Sequence, residues 1–373
     1  MKRLSTAAAL AAVSILCLHA PAAAQQPGPQ QPDLTIDAAT RKQVIDAALK
    51  RLNDAYVFPE AAQAMEKAVR ASAAKGDYDQ VTSAAAFAVQ LTNDLQAVSR
   101  DKHLRVRYSH QPLPQRGERR EPTVEEREER RRELAWMNNG FDKVERLPGN
   151  VGYIEFRGFT DAEAGADTVA AAMNFVANTD ALIIDLRRNG GGSPEMVALI
   201  CSYLFGPEPV HLNSLYWREG NRTEEFWTRK EVAGKRYLNK DVYVLTSNRT
   251  FSGAEEFSYN LKNLKRATIV GETTGGGAHP GGMNRLHEHF GMFVPTGRAI
   301  SPVTKTNWEG TGVKPDVEVP AGQALHVARL ATLKKQHANI KEAQLKGAVQ
   351  AEIDRVEREL AELKAKGETA KSK

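Results

Sequence analysis

The chain has 373 residues, of which 41% are hydrophobic and 26% are charged. This composition supplies enough apolar sequence for one large or two moderate globular domains, and it excludes a chain that is disordered throughout. The formal net charge of +5 falls to +3 once Lys2 and Arg3 are removed with a signal peptide, and so mild a charge gives no reason to expect a nucleic-acid partner.

The first 24 residues have the pattern of a secretory signal peptide. Met1-Lys2-Arg3 precedes an apolar stretch rich in alanine and leucine, and Ala22-Ala23-Ala24 supplies small residues for cleavage. We therefore expect a periplasmic or secreted protein that has no membrane contact after cleavage. A flexible leader at 25–36 is expected to follow the signal peptide. Cleavage leaves Cys201 as the only cysteine, which predicts a small core residue and no intramolecular disulfide.

Residues 37–110 are predicted to form a small N-terminal helical domain. Apolar residues recur there at helical spacing, which indicates about three helices, and an alternating strand begins at His103. A charged linker helix is expected at 111–147. Seven basic and seven acidic residues lie between Arg116 and Glu133, and Thr123 with Glu126 predicts a capping box.

A first strand-to-helix turn is predicted in the next region. The apolar strand 181–186 runs into Gly190-Gly191-Gly192, and a helix follows at about 194–204. Three glycines allow bare backbone amides to approach a ligand, although a plain tight turn is the alternative. The sequence lacks the Gly-Lys-Ser/Thr ending of a P-loop and the G-x-G-x-x-G spacing, so a nucleotide site is not favoured.

A second turn of this kind contains Ser252. The apolar strand 242–245 precedes it, and Ala254, Phe257 and Leu261 follow at helical spacing. A serine at a helix start is suited to nucleophilic attack, because the free amides and the helix dipole stabilise a negative oxygen there. The simpler interpretation is a helix N-cap, which serine also favours.

No metal or other cofactor is expected, because zinc-type spacings are absent and His287-x-His289 alone is weak evidence. Residues 321–373 are predicted to be a charged helical tail. Its apolar residues form a narrow seam that suits packing on the chain's own core or self-association with a second chain. The seam comprises Leu345, Val349, Ile353, Val356, Leu360 and Leu363.

Two segments resemble a known family of serine peptidases, which includes the tail-specific proteases, the tricorn core and the interphotoreceptor retinoid-binding protein. The segments are 185–192, which ends in the three glycines, and 246–256, which contains Ser252. The segments 271–280 and 307–316 extend the resemblance. It implies an α/β fold with a crotonase-like core of strand–helix units at 148–320.

The resemblance also bears on the catalytic base. Tail-specific members use a lysine that would fall within 275–279, where this sequence has none. The tricorn-like branch uses a histidine and a glutamate, which implies His103 as the base and Glu309 as the residue that orients it. Lys102 stands where that branch has an assisting serine. His279, in the glycine-rich loop, is the alternative base.

These features predict an exported serine endopeptidase that hydrolyses peptide bonds through an acyl-enzyme at Ser252. The amides of Gly191 and Gly253 would hold the oxyanion, and the partner would be a peptide or protein substrate. Too few residues separate His103 from the core for a PDZ domain. The alternative function is a catalytically silent binding module for an apolar ligand or peptide.

Overall fold

The computed structural model describes residues 31–115 and 122–371, with side chains up to residue 366. The predicted signal peptide at 1–24 lies outside the described residues, as does the first half of the leader, 25–30. Within the described ranges, no helix combines the length and the apolarity needed to cross a bilayer.

The helices and strands are named here in chain order. The helices are α1 Ala38–Ala55, α2 Pro59–Lys75, α3 Ala84–Ser99, α4 Val124–Trp136, α5 Ala166–Val176, α6 Pro194–Ser202, α7 Gly253–Asn263, α8 Ala321–Asn339 and α9 Ala343–Lys371. The strands are β1 Arg105–Tyr108, β2 Phe141–Leu147, β3 Val151–Phe156, β4 Ala181–Asp185, β5 His211–Trp217, β6 Arg222–Trp227, β7 Asp241–Thr246, β8 Thr268–Gly271, β9 Gly281–His287, β10 Phe290–Pro295, β11 Gly297–Ile300 and β12 Val317–Glu318.

The N-terminal helices α1, α2 and α3 confirm the three helices expected from the apolar spacing. The side chains of Asp37 and Ser83 accept hydrogen bonds from backbone N–H groups in the first turns of α1 and α3. These N–H groups have no acceptor within their own helix, so the two side chains cap the helices. The helices pack on an antiparallel sheet of order β1-β10-β9. Phe290, Met292 and Val294 of β10 are buried in the same cluster as the helices, so a distant hairpin completes this layer.

The helix α4 begins with the predicted capping box, because Thr123 accepts from the N–H of Glu126 and Glu126 accepts from the N–H of Thr123. Leu134 is its one buried residue among those described. The charged faces are therefore solvated, as the mixed charge pattern predicts.

The core is a six-stranded sheet of order β12-β8-β7-β4-β3-β2, in which only the edge strand β2 is antiparallel to its neighbour. Apolar side chains project from both faces of the central strands. Those on one face pack against α5, α6 and α7, and those on the other pack against α8. All five residues of β4 are buried, as expected for a parallel strand covered on both sides. The six-stranded sheet and its helices confirm the predicted α/β class, with helical N- and C-terminal parts.

The topology of the sheet brings the two turns together. Adjacent parallel strands have their carboxyl ends at the same edge, where ligands commonly bind in open α/β sheets. Because β4 and β7 are adjacent and parallel, the glycine loop after β4 and the Ser252 turn after β7 meet at one edge. A smaller antiparallel sheet of order β11-β5-β6 accompanies the core.

The C-terminal helices α8 and α9 pack against each other. Val349, Ile353 and Val356 are buried together with Leu333 of α8. Arg329 of α8, which is itself buried, forms an ion pair with Glu352 of α9. The apolar seam of the tail therefore packs on its own chain, and Leu345 is the seam residue left largely exposed.

Candidate active site

Ser252 lies between β7 and α7 in a conformation that serine rarely adopts. Its φ is 54° and its ψ is −122°, whereas residues with a side chain favour negative φ. Its backbone N–H donates to Oε2 of Glu255 at 2.9 Å. A strained turn between strand and helix exposes the side chain at its apex, and such strain is typical of functional sites.

The glycine loop touches the serine turn directly. A Cβ added to Gly191 would lie 2.5 Å from the backbone N of Gly253 and 2.8 Å from Cβ of Ser252, so no other residue fits there. The φ of 97° at Gly191 imposes the same restriction. The N–H of Gly191 donates to Oδ1 of Asn189 at 2.9 Å. A Cβ on Gly253 would lie 2.9 Å from the backbone N of Gly192. The amide of Gly192 therefore also lies at the serine turn.

His103 lies beside the serine turn. Its ring centroid is 4.6 Å from that of Phe251, the residue before Ser252, and 5.6 Å from that of Phe293. Its Nδ1 is buried and has no hydrogen-bond partner among the described residues. Burial lowers the pKa of the imidazole to about 4, and the charge of Asp101 acts in the opposite direction.

Glu309 comes from the far end of the core sequence to the same place. One nitrogen of His103, one oxygen of Asp101 and one oxygen of Glu309 all lie within 4.8 Å of one another. The N–H of Ala278 donates to Oε2 of Glu309 at 2.5 Å, while Oε1 is buried without a partner in the described chain. Burial, followed by the neighbouring charge of Asp101, raises the pKa of Glu309 to about 7.

His279 belongs to this cluster as well. Its Nδ1 lies 2.8 Å from Oδ2 of Asp101 and 3.5 Å from Oε2 of Glu309. The hydroxyl of Tyr56 donates to the same Asp101 oxygen at 3.1 Å, and the backbone N–H of His103 donates to Oδ1. The fully buried Asp101 therefore binds the ring of His279 and the backbone of His103. A metal ion at this cluster would have to compete with these hydrogen bonds for the carboxylate oxygens.

Two acidic residues were not assigned a role from the sequence. Asp101 lies two residues before His103 in the sequence. A carboxylate so close to a candidate base is the sequence signal that could have indicated its role. Glu255 was visible as the third residue of a helix that begins after Ser252. It is fully buried and ties the serine turn to the glycine-rich loop, because it accepts hydrogen bonds from Thr274, Gly276 and Gly277. Burial raises the pKa of Glu255, and these hydrogen bonds oppose that rise.

Two regions of the chain match a protein family. Residues 150–319 match peptidase family S41, and residues 36–136 match the N-terminal domain of peptidase family S41 in eukaryotic IRBP. A strained serine at the edge of an α/β sheet, beside buried imidazoles and carboxylates, is the kind of site a serine hydrolase requires. The two regions cover the N-terminal part and the core, and the chain belongs to peptidase family S41.

The chain is also similar to a curated plant protein. The chloroplastic carboxyl-terminal-processing peptidase 2 of Arabidopsis thaliana is 27% identical over 202 residues. The match covers 51% of this chain and 37% of that protein, so the chain spans little more than a third of its relative's length.

Two solved structures share the fold. A candidate peptidase from Parabacteroides merdae has a TM-score of 0.53 at 16% identity, over 75% of this chain and 90% of that one. A lipoprotein from Streptococcus agalactiae has a TM-score of 0.50 at 14% identity, over 83% of this chain and all of that one. At such low identity these likenesses concern the fold alone.

Proposed function

We propose that this protein is an exported serine endopeptidase whose acyl-enzyme forms at Ser252. The observation that carries the proposal is the strained turn of Ser252, with Phe251 in contact with the His103 ring and Glu309 beside that imidazole. Export is supported by the signal-like pattern at residues 1–24.

In the proposed reaction, neutral His103 removes the proton from the Ser252 hydroxyl as its oxygen attacks the peptide carbonyl. The imidazolium then gives that proton to the leaving amine, and water later hydrolyses the acyl-enzyme by the same route. Burial makes His103 a weak base in isolation. An ionised Glu309 offsets this, because its negative charge stabilises the imidazolium as it forms. The buried and unpartnered Nδ1 of His103 and Oε1 of Glu309 support their pairing.

The negative oxygen of the intermediate would be held by backbone amides. Gly253 contributes the first amide of α7, where the helix dipole is favourable. Gly191 contributes the second, but its N–H must first leave Oδ1 of Asn189. The amide of Gly192, next to Gly253, is available beside it.

A catalytically silent binding module is the second candidate function. The match of residues 36–136 to an IRBP domain supports this alternative. It retains the fold but requires no proton transfer between Ser252 and His103.

The experiment that separates the two functions is active-site labelling of the mature protein. A fluorophosphonate probe should modify Ser252, located by mass spectrometry of the digested adduct, and should block hydrolysis of a casein-type substrate. Ser252→Ala should be folded by circular dichroism but neither labelled nor active. An adduct on another serine would move the nucleophile, and a folded protein with neither adduct nor hydrolysis would favour the binding module.

A further inference from the structure

Arg298 is held between two aromatic rings near the candidate active site. In β11 it lies directly opposite Tyr216 of β5. Its guanidinium carbon is 5.2 Å from the ring centroid of Tyr216 and 5.6 Å from that of Phe58. Two rings on a planar guanidinium restrict where it can point, which favours a fixed orientation.

Among the residues that the structure describes, none accepts a hydrogen bond from this guanidinium. Within the described ranges the side chain of Arg298 forms no hydrogen bond and no ion pair, and its Nε is buried without a partner. Other part-buried arginines differ: Arg187 is paired with Asp185, and Arg266 donates to three backbone carbonyls. Buried polar atoms are normally hydrogen-bonded, so an arginine Nε that is shielded from water and has no partner in the described part of the chain is unusual.

Contacts connect Arg298 to the candidate active-site residues His279 and Glu309. The Phe58 ring that covers it also contacts the ring of His279, with centroids 5.3 Å apart. The next residue of β11, Ala299, donates its N–H to the carbonyl of Ala278 at 3.0 Å. Ala278 in turn donates to Glu309. The strand that carries Arg298 therefore lies next to the loop whose backbone binds Glu309.

We propose that Arg298, Phe58 and Tyr216 form a subsite for a carboxylate of the peptide substrate. The proposal rests on the proposed peptidase function and deepens it. The guanidinium fork matches the two oxygens of a carboxylate, and the aromatic rings hold that fork in place. The carboxylate is either an acidic side chain near the scissile bond or the free C-terminus of the substrate.

Matched peptides distinguish these two sources. One set of internally quenched peptides is blocked at both ends and carries Glu or Gln at one position at a time. A second pair contains no internal acid and ends in a free or an amidated C-terminus. At the position that reaches the subsite, the peptide with the carboxylate should have a kcat/KM about ten- to a hundredfold higher, mainly through KM.

Substitutions then assign that preference to Arg298. Arg298→Met keeps an unbranched stem and should abolish the preference, while Arg298→Lys keeps the charge without the fork and should retain part of it. The control is Arg222→Met, because Arg222 also lies over an aromatic ring, Trp217, but already has Glu224 as its partner. This variant should keep the full preference.

The subsite is refuted if the wild-type protein cleaves every pair equally, or if Arg298→Met keeps the preference, while neutral peptides are hydrolysed and Ser252 is labelled. Loss of stability in Arg298→Met without any carboxylate preference in the wild type would make the aromatic contacts purely structural. The comparison of matched peptides uses the wild-type protein alone, so it does not depend on the folding of any variant. If no peptide is cleaved and Ser252 forms no adduct, the proposed function fails and this subsite with it.

Discussion

Ser252 has a backbone conformation that is costly for any residue with a Cβ, and its φ of 54° predicts a conflict between stability and activity. Such conformations cost about 1–3 kcal/mol, and glycine avoids most of that cost. We expect Ser252→Gly to raise the free energy of unfolding by about 1 kcal/mol while abolishing hydrolysis. Urea unfolding measures this, with Ser252→Ala as the control that loses the hydroxyl but keeps the strain. Equal stability of the two variants would mean that the turn is not strained.

The carboxyl group of Glu309 should set the pH dependence of the reaction. Its pKa is raised to about 7, and only the ionised form stabilises the imidazolium of His103. We therefore expect kcat/KM to increase with pH through about 7. Glu309→Gln, which has the same shape but cannot ionise, should remove this step and lower kcat by about 10²- to 10⁴-fold. A step near pH 7 that survives in this variant would belong to another group.

The two histidines should respond differently to substitution. His103→Gln removes the proposed base and should abolish most activity at every pH. The charge of His279 lowers the pKa of Glu309, so His279→Gln should move the pH step of kcat/KM upward and leave the plateau kcat nearly unchanged. Full pH profiles of both variants measure this. If His279→Gln is inactive and His103→Gln is not, the base is His279.

At the scale of elements, the packing of the glycine loop against the start of α7 should be sensitive to one methyl group. A Cβ on Gly191 meets backbone atoms at 2.5 Å, whereas a Cβ on Gly190 meets nothing within 4 Å. We expect Gly191→Ala to lose activity and at least about 2 kcal/mol of stability, because backbone cannot move aside cheaply. Gly190→Ala is the matched control and should change little. Near-normal activity in Gly191→Ala would show that the loop and the helix start need not touch.

The local parts of these elements were readable from the sequence. The apolar runs before Gly190 and Ser252 predicted buried strands, and the spacing after Ser252 predicted a helix, because both signals depend on neighbouring residues. The hydrogen bond between His279 and Asp101 could not be predicted in this way. The two residues are 178 positions apart, and only the folded sheet brings them together. The role of Glu255 depends equally on a loop some twenty residues away.

At the scale of the whole molecule, the tail seam offers a test of what α9 packs against. Val356 is fully buried in the chain, whereas Leu345 is 52% exposed. We expect Val356→Asp to cost about 3 kcal/mol or more, because a charge would be buried without a partner. Leu345→Asp should stay within about 0.5 kcal/mol of the wild type. Urea unfolding and light scattering are the measurements. A Val356→Asp protein of unchanged stability but smaller mass would instead place the seam between two chains.

The β9–β10 hairpin has a consequence for how this chain acquires its structure during synthesis and transport. Residues 36–108 emerge first, but their hydrophobic cluster includes Phe290, Met292 and Val294, which follow almost two hundred residues later. A contact between such distant segments delays folding, since the loop must close before the contact forms. The early helices therefore remain incomplete until most of the chain has been made. Under the export proposed above, this delay would suit a polypeptide that crosses a translocation channel unfolded, and it would keep the proposed base His103 away from Ser252 until both have crossed.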